Sequence, residues 1–351
     1  MTIEKRKDDH IRICLEKDVQ VTHNHWDDVL LLHQSVPECD LDSIDLTTEI
    51  MGRKLKAPLV ISSMTGGSPR AKEINEVLAR AASEFGIGMG VGSQRAGIEK
   101  RDRRDSYAVV KEYDVPLMLS NLGAPQFAKE YEGGPYGLDQ VMTAMEMVGA
   151  HAACIHFNYL QEMVQPEGDT YIDGVLENLI PIAGELPLIA KETGAGTSRE
   201  AALKFKEAGF KAIDVGGASG TSFAAVESFR GGEDEMRTSR LGNTFWNWGI
   251  PTPVSIILSK VGLPLIATGG VRNGQDAVKA LSMGASAAGM AWHLLIPASR
   301  GYGELKKELS MIISEVRAAL FLSGAPSASH AEKVKYLLKG QTLRMTDQLR
   351  R

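Results

Sequence analysis

The sequence predicts an α/β fold: a (β/α)8 TIM barrel with an N-terminal extension and a C-terminal helical tail. Three observations carry this prediction. From residue 58 onward short apolar runs alternate with helical patterns, eight such runs occur, and each ends in Gly, Ser, Asn or Thr. Parallel βα units in that number suggest a closed barrel rather than an open sheet. The competing doubly wound sheet wants GxGxxG straight after its first strand, and "MTGGSPRA" does not supply it.

In chain order the strand runs are "PLVISSMTGG", "IGMGVGSQ", "PLMLSNLG", "AACIHFN", "PLIAKETG", "AIDVGG", "PLIATGG" and "AAGMAW". Between them "SPRAKEINEVLARAASEFG", "LDQVMTAMEMVG", "SREAALKFKEAG" and "NGQDAVKALSMG" are amphipathic helices that open on a polar residue or Pro and stop at Gly. The expected organisation is an extension over 1–57 that contributes to the substrate site, a barrel over 58–324 and a tail over 325–351. Residues 217–250 read as one long loop after the sixth strand, a candidate lid.

Composition narrows the function classes. The apolar and charged fractions are those of an ordinary globular protein, and a net charge of -5 steers it towards neither nucleic acid nor an anionic membrane. An anionic ligand must therefore be held locally. Cys14, Cys39 and Cys154 are odd in number and far apart, which suits reduced thiols in the cytoplasm. The start "MTIEKRKDDH" has no apolar core for a signal peptide, and the longest apolar stretch is broken by Lys260, Gly262 and Pro264.

In a barrel of this kind chemistry gathers at the carboxyl ends of the strands. Those ends supply Ser62 to Thr65, Ser93, Gln94 and Arg95, Asn121, His156 and Asn158, and Lys191. The fourth strand runs into "HFNYLQEMVQPEGD", where alternation turns Cys154, His156 and Asn158 to one face and leaves Gln161 and Glu162 just beyond. The most specific pattern is "ATGGVRNGQDAVKALSMGASAAGMAW". Its glycines let backbone approach a phosphate, and the following helix would aim its N-terminal amides at it. A phosphate there, with hydroxyl and amide groups around the mouth, suits FMN, and Lys191 would stabilise the anionic reduced ring. A second anion site draws on Arg6, Lys7 and His10, with Arg95 and His156 as further donors. Glu162 is a single carboxylate of the sort that holds Mg2+ together with phosphate oxygens and water. The run "EKRDRRD" reads as a solvated helix surface.

With these residues assembled, the chain resembles the type 2, flavin-dependent isopentenyl diphosphate isomerases nearly end to end. The resemblance rests on "RKDDHI", "SSMTGG", "GSQR", "SNLG", "HFNYLQE", "AKETGAG", "GGASGTSF", "GGVRNGQD" and "GMAW" in that order. It implies FMN, Mg2+, NAD(P)H as reductant, and conversion of isopentenyl diphosphate to dimethylallyl diphosphate. By position, Arg6, Lys7, Ser93, Gln94, Arg95 and His156, with Asn158 and Gln161, resemble diphosphate or substrate contacts, and Glu162 resembles the metal ligand. Ser63, Met64, Thr65, Ser93, Asn121 and Lys191 resemble one part of the flavin shell. Thr221, Gly270, Val271, Arg272, Ala291 and Trp292 resemble the rest, although a smaller aliphatic residue is expected in place of Trp292. Gln161 and Glu227 are the expected proton-handling side chains. The partners implied are a small diphosphate substrate and further copies of the chain, with no nucleic acid and no membrane.

Two other functions compete. An FMN oxidoreductase of the hydroxy-acid oxidase or IMP dehydrogenase type shares the phosphate pattern, but "GGASGTS" carries neither the His base beside an Arg nor the nucleophilic Cys that these enzymes want. A non-catalytic phosphate-ligand sensor would share the fold alone.

Overall fold

The computed structural model describes residues 3–231 and 236–349. All eight predicted strands form, and they close into a parallel barrel in sequence order. They are β1 (Leu59–Ile61), β2 (Gly88–Gly90), β3 (Leu117–Gly123), β4 (Ala152–Phe157), β5 (Leu188–Glu192), β6 (Ala212–Asp214), β7 (Leu265–Thr268) and β8 (Ala287–Met290). Closure comes from β8 pairing with β1, Ala288 opposite Leu59 and Met290 opposite Ile61. A closed sheet leaves no unpaired strand edge, so side-chain chemistry is confined to the two barrel ends.

The predicted helices follow their caps. The Ser68 side chain accepts from the Ala71 N–H, Pro69 occupies the first turn, and Gly86 ends the helix Pro69–Phe85 in left-handed geometry at φ 63°. The amino end of the barrel is blocked. A hairpin of Thr48–Ile50 and Arg53–Leu55 packs Ile50 and Leu55 into one buried cluster with Leu117, Ala152, Ala212 and Ala287, all at strand starts. A ligand must therefore enter from the carboxyl ends.

The two terminal segments meet there and at the barrel flank. Val29–Leu31 pairs antiparallel with Tyr336–Leu338. Asp28 then caps the helix Gly340–Leu349, its Oδ2 accepting from the Thr342 N–H at 3.1 Å and the Thr342 hydroxyl at 2.8 Å. The N-terminal helix Ile3–Glu16 lies over the open end of the barrel, tied down by the Trp292 indole, which donates to the Cys14 carbonyl at 2.7 Å.

The stretch 217–250 is not the single loop that the sequence predicts. It contains the helices Phe223–Gly231 and Met236–Thr244. Flanking glycines hid them, because "GGASGTS" and "RGG" read as turns on both sides of a short apolar run. Among the described residues no helix is long and apolar enough to cross a membrane, and all three cysteines are free.

Trp26 is wholly buried, and its indole donates to the Gly269 carbonyl at 2.9 Å. Trp26→Phe removes that donor, leaves the Gly269 carbonyl to the Thr252 hydroxyl alone, and fills the site with a smaller ring. Calorimetry should show a loss of about 2 kcal/mol, or a fall in Tm of roughly 3 °C.

Candidate active site

The carboxyl ends of the strands surround a cavity of about 440 Å3. Every residue predicted for the flavin shell lines it, and so do Glu162 and all the predicted substrate contacts except Gln94. Gln94 is a correction. Its side chain turns into the wall, donating to the Ala144 carbonyl at 2.8 Å and accepting from the Asn121 N–H at 2.9 Å. It shapes the strand ends and does not line the cavity.

One end of the cavity is an anion cradle made of backbone. Gly269 and Gly270 adopt φ of 118° and 72°, and a Cβ on Gly270 would run into the Ser219 carbonyl. Their carbonyls are held from outside, Gly269 by the Trp26 indole and the Thr252 hydroxyl, Gly270 by the Asn24 amide at 2.8 Å. In a trans peptide the C=O and the following N–H point opposite ways. Pinning both carbonyls outward therefore turns the Gly270 and Val271 N–H groups inward. Among the described residues no protein acceptor takes those two donors. The helix Trp292–Ser299 adds its first turn, which carries no side-chain cap. This also corrects the expected source of helix amides. The helix Gly274–Ser282 has its start occupied, since Gly274 N donates to Glu315 and Asp276 N to Asn273. Arg272 is spent likewise on Asp276 and Asp27, at 2.8 and 2.6 Å. Trp292 thus contributes backbone to the cradle and its indole to the N-terminal helix.

The opposite side is cationic and buried. Lys7 donates to the Ser93 carbonyl and the Tyr107 hydroxyl, both at 2.6 Å. Burial, with Arg6 and Arg103 nearby, lowers the Lys7 ammonium to about 7. Arg6 lines the cavity and pairs with no carboxylate among the described residues. Arg95 lines it too, but pairs with Glu99 and Asp169, each at 2.7 Å.

His156 stays neutral, its imidazole brought down to about 3 by burial and by Lys191 and Lys7. The Asn121 amide donates to the Val91 carbonyl, so its oxygen is what faces His156 Nδ1 at 2.8 Å. That fixes the proton on Nδ1. His156 Nε2 is thus an acceptor in the free protein, and the predicted donor role towards phosphate requires proton uptake with the ligand.

Lys191 is buried and paired with Asp214 at 2.8 Å, on the neighbouring strand. Glu162 accepts from Asn158, Gln165 and the Asp169 N–H at 2.8 to 3.0 Å, and burial raises its carboxyl. The Asn158 amide oxygen beside it is buried without a partner. A carboxylate and an orphaned amide oxygen together fit a hard cation such as Mg2+.

Glu227 is the second correction, because it does not line the cavity. It is fully buried behind Gln161, accepting from the Gln161 amide at 3.0 Å, with His10 Nε2 at 2.9 Å and Arg230 Nε at 2.5 Å. Burial would raise its carboxyl, but His10 and Arg230 hold it down to about 2. An ionised Glu227 orients Gln161.

Relatives named isopentenyl-diphosphate delta-isomerase match this chain over nearly its whole length. That of Thermoplasma acidophilum is 47% identical over 92% of this chain and 92% of its own. That of Methanosarcina mazei is 42% identical over 99% and 95%. This chain belongs to the isopentenyl-diphosphate delta-isomerase family. Within it residues 252–336, which hold the backbone cradle, match the model of FMN-dependent dehydrogenases. A mandelate oxidase structure with (S)-2-phenylpropionate is 19% identical at a TM-score of 0.63, covering 95% of this chain and 97% of that one, a likeness of fold alone.

Beyond the predicted residues, this member of the isomerase family brings Asn24, Gln20 and Glu192 to the cavity wall. Glu192 Oε2 accepts from the N–H groups of Gly194, Ala195 and Gly196 at 2.5 to 2.9 Å, while burial pushes its carboxyl up to about 7. The stretch "AKETGAG" announced it, a carboxylate two residues before a glycine-rich turn. Asn24 and Gln20 had no such pattern.

The Lys7 value gives a pH dependence with a definite sign. Its charge is present below about 7 and lost above, so an anion is attracted less as pH rises. Calorimetric titration with inorganic pyrophosphate should show a weakening across that range relative to Lys7→Arg. The difference should reach about tenfold or more, one charge-assisted contact.

Proposed function

We propose that this isomerase converts isopentenyl diphosphate to dimethylallyl diphosphate with reduced FMN and Mg2+, and with NAD(P)H as the reductant that charges the flavin. The reading rests on one observation above the others. A single cavity pairs a backbone anion cradle with a second anion site, built from Arg6 and Lys7 on one side and Glu162 and Asn158 oxygens on the other. Two anion sites in one cavity suit a phosphorylated cofactor and a diphosphate substrate together.

The reaction adds a proton at C4 and removes one at C2, so no electrons are transferred overall. FMN, when bound in its reduced form, supplies an anionic ring able to carry a proton. The chain's residues bind, orient and exclude. The Gly270, Val271 and Trp292 amides would hold the flavin phosphate, and Lys191, kept in place by Asp214, would lie near the ring's negative charge. Arg6, Lys7 and a protonated His156 would bind diphosphate, and Glu162 with the Asn158 amide oxygen would hold Mg2+, which would supply further positive charge to it. Gln161, fixed by Glu227, would present its amide to the reacting carbons' surroundings as a positioning group. The N-terminal helix and the helices within 217–250 would keep water from a strong acid facing a weakly basic alkene.

Anaerobic incubation with isopentenyl diphosphate, FMN, Mg2+ and a reductant tests the reading. Dimethylallyl diphosphate should form only while the flavin is reduced. Reduction of the flavin by a 2-hydroxy acid, with no isomerisation, would instead identify an oxidase. Glu162→Gln should raise the Mg2+ concentration needed for half-maximal rate at least about tenfold while leaving flavin content unchanged. Arg6→Ala combined with Lys7→Ala should cost about 3 kcal/mol of substrate binding, read as a rise in KM of roughly 100-fold with flavin affinity intact.

A further inference from the structure

Away from the cavity, "HNHWDD" in the N-terminal extension gathers His23, His25 and Asp28, with one donor atom from each lying within 4.8 Å of the others. We propose that these three residues bind a transition-metal ion of the Zn2+ class, at the junction between the N-terminal extension and the C-terminal helix Gly340–Leu349. Asp28 Oδ2 lies 3.4 Å from His23 Nε2 and 3.5 Å from His25 Nδ1. Ligands about 2.1 Å from a tetrahedral Zn2+ are separated by roughly 3.4 Å, so two edges of the ligand triangle already have the required length. The third lies between the two imidazoles, whose rings meet edge-on at 4.6 Å between centroids. His23 is 46% exposed, so a small swing of its side chain closes that edge without disturbing the core.

The surroundings resemble those of ligating groups elsewhere. The Thr342 N–H and hydroxyl both donate to Asp28 Oδ2 and fix its carboxylate, and the same hydroxyl accepts from His25 Nδ1 at 3.1 Å, so metal binding requires the His25 proton to move to Nε2. Two imidazoles with one carboxylate favour Zn2+, Co2+ or Ni2+ over the hard cations that an all-oxygen site such as Glu162 and Asn158 prefers. Three protein ligands with one on the exposed side leave a fourth position for water. The site also has a mechanical consequence. His23 and His25 flank Asn24, and Trp26 follows, so a bound ion would stiffen the segment that pins the Gly269 and Gly270 carbonyls.

The test uses the flavin-loaded protein, stripped of trace metal by a chelator and dialysed, then titrated with Zn2+ by calorimetry and with Co2+ by its d–d absorption beyond the flavin band. One Zn2+ should bind per chain and raise Tm. His23→Gln, a substitution on the exposed side, should weaken Zn2+ binding at least about tenfold with the flavin spectrum unchanged. Glu162→Gln should leave Zn2+ affinity as it was. The proposal is overturned by an absence of Zn2+ binding, by equal binding in His23→Gln, or by loss in Glu162→Gln. The first two outcomes would make the cluster a hydrogen-bonded helix cap, and the third would assign the ion to the diphosphate side of the cavity.

Discussion

Two outward-held carbonyls organise this molecule. Because the Gly269 and Gly270 carbonyls are taken by Trp26, Thr252 and Asn24, the amides that follow them have only the cavity to face. Two of these three donors, Trp26 and Asn24, come from the N-terminal extension, about 245 residues away in the chain. The extension is therefore part of the ligand site's construction, although it adds no strand to the barrel. It is anchored in turn by Lys279, which donates to the Trp26 carbonyl at 2.8 Å and pairs with Asp276 at 3.1 Å. Barrel, cradle and extension depend on one another through hydrogen bonds that are buried or partly buried, where each is costly to lose.

The charges around the cavity follow from the same burial. A lysine in water keeps its proton, a histidine is near its midpoint and a carboxyl is ionised. Here Lys7 is lowered, His156 is neutral and Glu162 is raised. All three shifts move the empty cavity towards neutrality. An incoming dianion or trianion would reverse each of the cationic ones, drawing protons onto Lys7 and His156. Glu227 resists this trend because His10 and Arg230 touch it directly, and Arg230 is itself held by Glu167 at 2.8 Å. The Glu227 charge is thus held one residue behind the cavity wall, while Lys7, His156 and Glu162 lie on it.

Strand positions were legible in the sequence because all but the last of the eight strands are short apolar runs cut off by a turn residue. Site residues at strand ends were legible for the same reason: alternation along β4 puts His156 and Asn158 on one face, and both line the cavity. What was not legible depended on contacts between distant segments. Nothing local says that Gln94 turns to Ala144, that Glu315 occupies the start of the helix Gly274–Ser282, or that Asn24 reaches Gly270 across 246 residues. Glu227 lies in a stretch that reads as a loop, and only the folding of Phe223–Gly231 against the N-terminal helix buries it between His10 and Gln161.

That packing bears on how the cavity closes. The N-terminal helix reaches the insertion through His10 to Glu227, the barrel through Trp292 to the Cys14 carbonyl, and the cavity through Arg6 and Lys7. A ligand that pulls on Lys7 pulls on a helix that is also tied to the insertion, to Trp292 in the helix after β8 and, through Asp8, to the Ser68 hydroxyl. Closure would then move the helix and the insertion as one body, since the buried Glu227 pair is too costly to separate in a dry interface. Gln161 sits where that body meets β4, donating to Glu227 and accepting from Asn158 at 3.3 Å. Its amide is therefore oriented only when the lid elements are seated, which couples the exclusion of water to the arrangement of the groups beside the substrate.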